Sequence, residues 1–297
     1  MLSPDERWMA GLKALKRLKP ALRTSRLRQK PFPKGDSNLS QGISRDLKED
    51  ESVGSYTRQA SSRPSLLALL ESTNQMPPYS VILGTCEDGL PFTLDLTNPA
   101  PGALLITGDA ASGKTSLLRS ILASATYLNP PNQVSFSIIS FKPEEFAGIS
   151  GAANCQGLHI PDEDATKNLL VALEKACEQR KRGSIRGPAM ILAIDDLASF
   201  LQSTDTDLFG RFFSLVKHGP RSQIWIIATL SSEQADCIDE RLMAAFRTPL
   251  VGSIIAPGLA IYLTGDPNSG AEDLTPGQQF CVPYGDEWIR FWVNEAA

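Results

Sequence analysis

Gly108-Asp109-Ala110-Ala111-Ser112-Gly113-Lys114-Thr115 decides the fold. The octapeptide has the spacing G-x-x-x-x-G-K-[ST], and each fixed residue type has a physical reason. A chain that wraps tightly enough to point successive backbone N–H groups at one anion needs backbone angles that glycine adopts freely, and Gly108 and Gly113 supply them. The loop residues Asp109, Ala110, Ala111 and Ser112 then contribute their amides to the same cradle. A helix that starts at the end of the loop directs its positive N-terminus at the bound phosphate. Lys114 is placed to neutralise the β- and γ-phosphates, and the Thr115 hydroxyl to ligate Mg²⁺. The context is the required one. An apolar run, Ala103–Thr107, precedes the loop, and Thr115–Tyr127 follows it with Leu118, Ile121, Leu122 and Ala125 at helical spacing.

The same logic finds the other half of the site. Met190-Ile191-Leu192-Ala193-Ile194-Asp195-Asp196 is an apolar strand ending in two acids, which places carboxylates at the carboxyl edge of a sheet, where open α/β folds bind ligands. Asp195 is expected to hold Mg²⁺ through water. Asp196 has two readings: it polarises the attacking water, or it caps the helix that follows. Thr229, at the end of the Gln223–Thr229 strand, either senses the γ-phosphate and the water or is a plain strand-end hydroxyl. The expected ligands are therefore ATP and Mg²⁺.

Around these motifs strands alternate with helices. Strands are expected at Ser80–Leu83 and Leu90–Leu96, with Asp88-Gly89 as the turn of a small hairpin, and at Val134–Phe141, Gln279–Pro283 and Trp288–Val293. Helices are expected at Asp164–Arg182, Asp207–Lys217 and Asp239–Phe246. Alternation of this kind implies right-handed βαβ units and a mostly parallel central sheet, and continuous rather than alternating apolar strands imply a sheet covered on both faces. The fold class is α/β.

Charge is unevenly spread over the 297 residues. Residues 1–35 carry a net +8, residues 36–75 a net −2 and residues 76–297 a net −10. Residues 1–29 read as a basic amphipathic helix, with Trp8, Leu12, Leu15, Leu18 and Leu22 at helical spacing. Residues 30–75 read as a disordered linker, rich in Ser, Gly, Pro and charge, and residues 76–297 as the folded domain. No apolar run approaches the ~18 residues a membrane span needs. Five scattered cysteines without a Cys-x-x-Cys pair argue against a zinc site or a disulfide framework and suit a reducing cytoplasm. Two histidines, His159 and His218, leave little material for a histidine-based centre. The basic head has several readings: an anionic membrane surface, nucleic acid, a targeting segment (which Asp5 and Glu6 disfavour) or a solubilising tail.

The order of motifs resembles the FtsK/HerA group of RecA-like P-loop ATPases, and the FtsK/SpoIIIE motor domain most of all. The resemblance runs from about Ser80 to Val293. It is carried by Leu83-Gly84 with the hairpin to Leu96, the phosphate loop, and Ser140-Phe141-Lys142-Pro143-Glu144-Glu145-Phe146, where the family often has Asp-Pro-Lys and an acid. It continues through Pro161-Asp162 with the helix to Arg180, Asp195-Asp196, Ala228-Thr229, Phe246-Arg247 with Gly252, and Leu274-Thr275-Pro276-Gly277. The resemblance implies ATP hydrolysis coupled to translocation, DNA as cargo, and a homo-hexameric ring in which a neighbour donates an arginine. Arg221 is the first candidate for that arginine and Arg211 the second. Related ATPases that move protein supply a second cargo reading, which the acidic body favours. Two departures motivate a third, a slowly hydrolysing regulatory or assembly module: the family's Asp-Glu is Asp195-Asp196 here, and its Gln after Thr is Leu230. The cluster Arg180, Lys181, Arg182 and Arg186 either contacts a phosphate backbone or is a solvated helix end. These readings describe a cytoplasmic protein with a peripheral membrane contact through the basic head as one option.

Overall fold

The computed structural model describes residues 65–72, 76–183, 187–285 and 287–294. The helix expected over residues 1–29, the linker up to residue 64 and Arg186 lie outside the described residues. Ten strands form one sheet: β1 Ser80–Cys86, β2 Pro91–Asp95, β3 Ala103–Gly108, β4 Val134–Ile139, β5 Cys155–His159, β6 Ala189–Ile194, β7 Ile224–Ser231, β8 Phe246–Gly252, β9 Gln279–Tyr284 and β10 Glu287–Trp292. Their order across the sheet is β2-β1-β10-β9-β8-β3-β7-β6-β4-β5. From β8 to β5 every pairing is parallel, whereas β9, β10, β1 and β2 join antiparallel at the β8 edge. The phosphate-loop strand β3 and the acidic strand β6 thus have one strand, β7, between them. This is the α/β, RecA-like arrangement with a hairpin before the loop.

Helices cover both faces. The longer ones are α1 Leu66–Ser72, α2 Lys114–Leu128, α3 Asp164–Lys181, α4 Leu197–Gln202, α5 Thr206–His218 and α6 Pro257–Thr264. On one face α2 buries Leu117, Leu118, Ile121 and Leu122 completely, against Ile106, Ile227 and the hairpin residues Val81 and Leu83. Each such side chain contributes about 1.5–3 kcal/mol relative to exposure. On the other face α3, α4 and α5 cover Leu105, Leu192, Ile194 and Ile226. Strands β3 and β7, whose residues are buried on both faces, are therefore continuous apolar runs. Polar side chains fix the hairpin on α2. Ser124 Oγ accepts from Ile82 N at 2.9 Å, and Asn129 Nδ2 donates to Ser80 O at 2.9 Å. The Trp225 indole, wholly buried in β7, donates to Leu96 O at 3.1 Å and fastens the end of the hairpin to the sheet.

Several expectations are corrected. The linker expected over 30–75 does not extend to residue 75, because Leu66, Leu69 and Leu70 of α1 are buried against Ile82. The helix expected at Asp239–Phe246 is one turn, Glu240–Met243, started by Asp239 Oδ1 accepting from the Arg241 and Leu242 amides. Phe246 instead opens β8, which the sheet needs beside β3. Strand β4 ends at Ile139 rather than Phe141, and Ser140 Oγ accepts from Lys142 N to turn the chain. Strand β5 and helix α6 carried no strong period in the sequence.

Candidate nucleotide-binding site

The phosphate loop begins where β3 ends. Gly108 has φ 153° and Gly113 φ 90°. A Cβ on Gly108 would lie 2.6 Å from Ser112 Oγ, and one on Gly113 would lie 2.7 Å from the backbone oxygen of Gly277. Both glycines are thus required by close approach as well as by angle. The Gly113 contact also shows what covers the loop from outside: the Thr275–Gly277 turn ahead of β9. Within the loop, the N–H groups of Ala110, Ala111, Gly113, Lys114 and Thr115 have no acceptor among the described residues. Lys114 Nζ donates back to Gly108 O at 2.9 Å and Asp109 O at 2.7 Å. Five free donors and a folded-back ammonium suit a phosphate chain, which supplies acceptors to all of them. Burial pushes the Lys114 ammonium below its usual value, and Asp109, Asp195, Asp196 and Glu233 oppose that shift.

Strands β6 and β7 bring the acids to the same place. Asp195 is buried at the end of β6, and its Oδ1 accepts from Thr115 Oγ1 and from Thr229 Oγ1, each at 2.9 Å. Burial raises its carboxyl above the ordinary value. The two threonine hydrogen bonds pull it down, and Glu145 and Asp196 push it up. Thr229 Oγ1 also accepts from Asp196 N at 2.8 Å. The strand-end hydroxyl on β7 is therefore the splice between the two halves of the site.

Asp196 sits at φ 64°, in the left-handed region that aspartate tolerates better than most residues. The chain turns sharply there into α4. Oδ1 of Asp196 accepts from Ser199 N at 3.1 Å and Oδ2 from Ser199 Oγ at 2.5 Å. Of the two readings of Asp196, helix capping is the one this geometry realises, since both oxygens are engaged. Leu230, next to Thr229, is completely buried in the core.

Asp109 does work that the motif did not foretell. Its Oδ1 accepts from the Ser232 hydroxyl, and its Oδ2 accepts from Ile255 N at 2.7 Å, while Asp109 N donates to Ser253 O at 2.9 Å. The phosphate loop is thereby tied to the turn after β7 and the turn after β8. Ser112, by contrast, turns its hydroxyl inward beside Gly108 and Gly252, buried and without a partner among the described residues.

Lys114, Thr115, Asp195, Asp196 and Thr229 line one open cleft of about 160 Å³. The cleft also includes Ser140, Phe141, Lys142, Ser231 and Gln234. Gln234 and Ser231 were not legible beforehand, because no local pattern marks them. Arg221 is not brought to this cleft. It lies, exposed, on the Gly219–Ser222 turn before β7, at the opposite edge of the sheet, with the length of β7, about 25 Å, between. Arg211 is occupied: its guanidinium bonds Glu174 and, at 2.9 Å, Asp207. Within the basic cluster, Arg180 turns inward to Ser222 O at 2.9 Å and Pro188 O at 2.8 Å, and Arg182 pairs with Glu178. Burial pushes both His159 and His218 below the usual imidazole value, and neither lines the cleft.

A divalent cation fits the donor set. Thr115 Oγ1 and Asp195 carboxylate oxygens are hard donors on the cleft wall. Among the described residues no three His, Cys, Asp or Glu side chains converge as a metal cage. Mg²⁺ is characteristically held this way, by one or two protein oxygens with the rest from phosphates and water. Among the described residues no helix is long and apolar enough to cross a membrane.

Comparison with known proteins agrees with this geometry. Residues 69–205 match the FtsK/SpoIIIE family. No curated protein sequence matches the chain. Among solved structures, ATPases 2 and 3 of Thermomonospora curvata EccC, in complex with a signal sequence peptide, align at 18% identity and TM-score 0.56 over 76% of this chain and 43% of that one. EssC (ATPases 2 and 3) from Geobacillus thermodenitrificans aligns at 16% identity and TM-score 0.62, over 74% and 45%. The pCW3 conjugation coupling protein TcpA, a monomer form with ATPγS, aligns at 18% and 0.61, over 75% and 68%. The chain thus spans less than half the length of the EccC and EssC chains. Residues 69–205 thus resemble the FtsK/SpoIIIE family in sequence, and the described domain has the RecA-like P-loop ATPase fold of these structures.

Proposed function

We propose that this domain binds Mg²⁺·ATP in the cleft between the ends of β3, β6 and β7, hydrolyses it, and uses the cycle to move a polymer. The observation that carries the reading is the continuous chain Thr115–Asp195–Thr229–Asp196, which joins the phosphate loop to the acidic strand through three hydrogen bonds of 2.8–2.9 Å. Mg²⁺, held by Thr115 and Asp195, supplies charge neutralisation on the phosphates. The remaining work falls to the protein. Lys114 exchanges the carbonyls of Gly108 and Asp109 for phosphate oxygens, the free amides of residues 110, 111 and 113–115 fix the phosphate chain, and Thr229 holds Asp195 and the Asp196 backbone in register. A catalytic role for Asp196 would use the acceptor capacity that its two bonds from Ser199 leave. Arg221 acts only if a neighbouring copy presents its turn to this cleft, as in a homo-hexameric ring.

DNA is the first cargo reading, following the FtsK/SpoIIIE match. Protein is the second, and the net −10 of residues 76–297 favours it, because DNA binding leaves a basic footprint. EccC was solved with a signal sequence peptide, which is in line with that alternative. The test is ATP turnover at low salt with and without duplex DNA, alongside Lys114→Ala. Turnover abolished by Lys114→Ala, with nucleotide affinity lowered at least tenfold, is the expected result. A stimulation by DNA that falls steeply with salt supports the DNA cargo, and its absence at any salt overturns it. Sedimentation with an ATP analogue tests the ring.

A further inference from the structure

If this cleft hydrolyses ATP, a group must orient the attacking water, and the two acids are poorly free to do it. Asp195 Oδ1 already accepts from two threonines, which leaves its other oxygen for the Mg²⁺ proposed above, and each Asp196 oxygen is held by one hydrogen bond from Ser199. Leu230, the residue after Thr229, is turned wholly into the core. Of the other polar groups on the cleft wall, the Ser231 hydroxyl also makes no hydrogen bond with a described residue, but it is a short side chain with one donor where an amide has two. Ser140 Oγ accepts from Lys142 N, and Lys142 Nζ lies 3.7 Å from Glu145. Gln234 is different. It is half-buried, lines the same cleft as Lys114, Asp195 and Thr229, and its side-chain amide makes no hydrogen bond with any described residue.

Its placement is fixed by the phosphate loop itself. Gln234 lies on the Ser232–Cys237 turn, and the first residue of that turn bonds the Asp109 carboxylate through the Ser232 hydroxyl. A primary amide carries an acceptor and two donors on one planar group. It can therefore accept a hydrogen from a water and donate to a phosphate oxygen at once, which is the geometry an in-line attack demands. We infer that Gln234 is the residue that orients the hydrolytic water in this cleft. The inference rests on the hydrolysis proposed above. In the step it serves, the water oxygen bonds the γ-phosphorus as the bond from that phosphorus to the β–γ bridging oxygen breaks. ADP leaves, both of the water's protons stay with inorganic phosphate, and the amide is unchanged.

The test uses the full chain carrying Gln234→Ala, with kcat, KM, ATPγS affinity and the affinity for ADP with aluminium fluoride all measured. The expected result is a kcat lowered about 100-fold, ATPγS affinity within twofold of the parent, an unchanged melting midpoint, and a selective loss of affinity for ADP with aluminium fluoride. A parental kcat overturns the inference. So does a fall in kcat that is accompanied by equal losses of ATPγS affinity and melting midpoint, since that is the signature of a structural role. If the parent chain turns over no ATP, the hydrolysis reading fails separately. Affinity for ADP with aluminium fluoride then decides Gln234, and equal values in parent and variant, including none in either, overturn its role.

Discussion

Thr229 serves two neighbours with one hydroxyl: it donates to Asp195 Oδ1 and accepts from Asp196 N. Removing it leaves a half-buried N–H and a buried carboxylate each short of a partner. Thr229→Val is nearly isosteric, so its cost is electrostatic. Chemical denaturation is expected to show a loss of about 1–3 kcal/mol, with Thr229→Ser restoring most of it. The cysteines make a second residue-level contrast. Burial pushes the Cys281 thiol up to about 12, with Glu272 adding and Arg290 opposing, and burial with Asp88 and Glu87 raises Cys86 to about 11. Cys237 is exposed. Because the thiolate is the reactive form, a thiol-alkylating reagent at pH 8 is expected to label Cys237 first and to spare Cys281 until the chain unfolds, as peptide mass spectrometry would show. The stability effect of Cys281 has a definite sign. The unfolded chain releases this proton around pH 9.0 and the folded chain holds it to about 12, so the contribution is fully present below pH 9 and is lost as pH rises toward 12.

At the scale of elements, the phosphate loop is held from three sides. Asp109 bonds the turn after β7 and the turn after β8, and the Thr275–Gly277 turn presses on Gly113. The loop is thereby tied to the β7 end and the β8 end, and the tie reaches the backbone of Ile255, which is largely exposed. Asp109→Ala is expected to leave the sheet intact, lower stability by about 1–3 kcal/mol in denaturant unfolding, and speed hydrogen exchange at Ile255 N. Protection at Ile255 equal to the parent's would contradict the tie. Several elements were readable beforehand. Helix α2 has a single apolar face, and the β1–β2 turn has Asp88-Gly89, where Gly89 takes φ 80° and Asp88 Oδ1 accepts from Leu90 N. Others were not. Strand β8 contains Pro249 and begins directly after a helical turn, so neither its period nor its composition marks it as the neighbour of β3.

On the scale of the whole molecule, charge is segregated along the chain. The domain is acidic, and the +8 of residues 1–35 lies apart from it in sequence. The head is then expected to add to any contact with a polyanion. The full chain should be retained on duplex DNA or on anionic vesicles at low salt more strongly than a chain beginning at residue 65. Retention of the full chain should fall linearly on a log–log plot of affinity against salt. Equal retention of both chains in a filter-binding or flotation assay would move the contact into the domain.

The sequence by itself determined what is local. A glycine spacing that wraps a backbone round phosphate, an apolar run that ends in Asp195-Asp196, and alternating strand and helix patterns are all written in stretches of a few residues, and they were enough for the fold and for the residues of the loop. Only the tertiary structure decided how those pieces divide the chemistry. Asp109 meets Ser232, 123 residues on, and Ile255, 146 residues on; Thr115 meets Asp195, 80 residues on. Such contacts follow from the order and register of β3, β6, β7 and β8 in the sheet. That register turns Leu230 into the core and leaves the amide of Gln234 free in the cleft, whereas the Asp196–Ser199 cap is local.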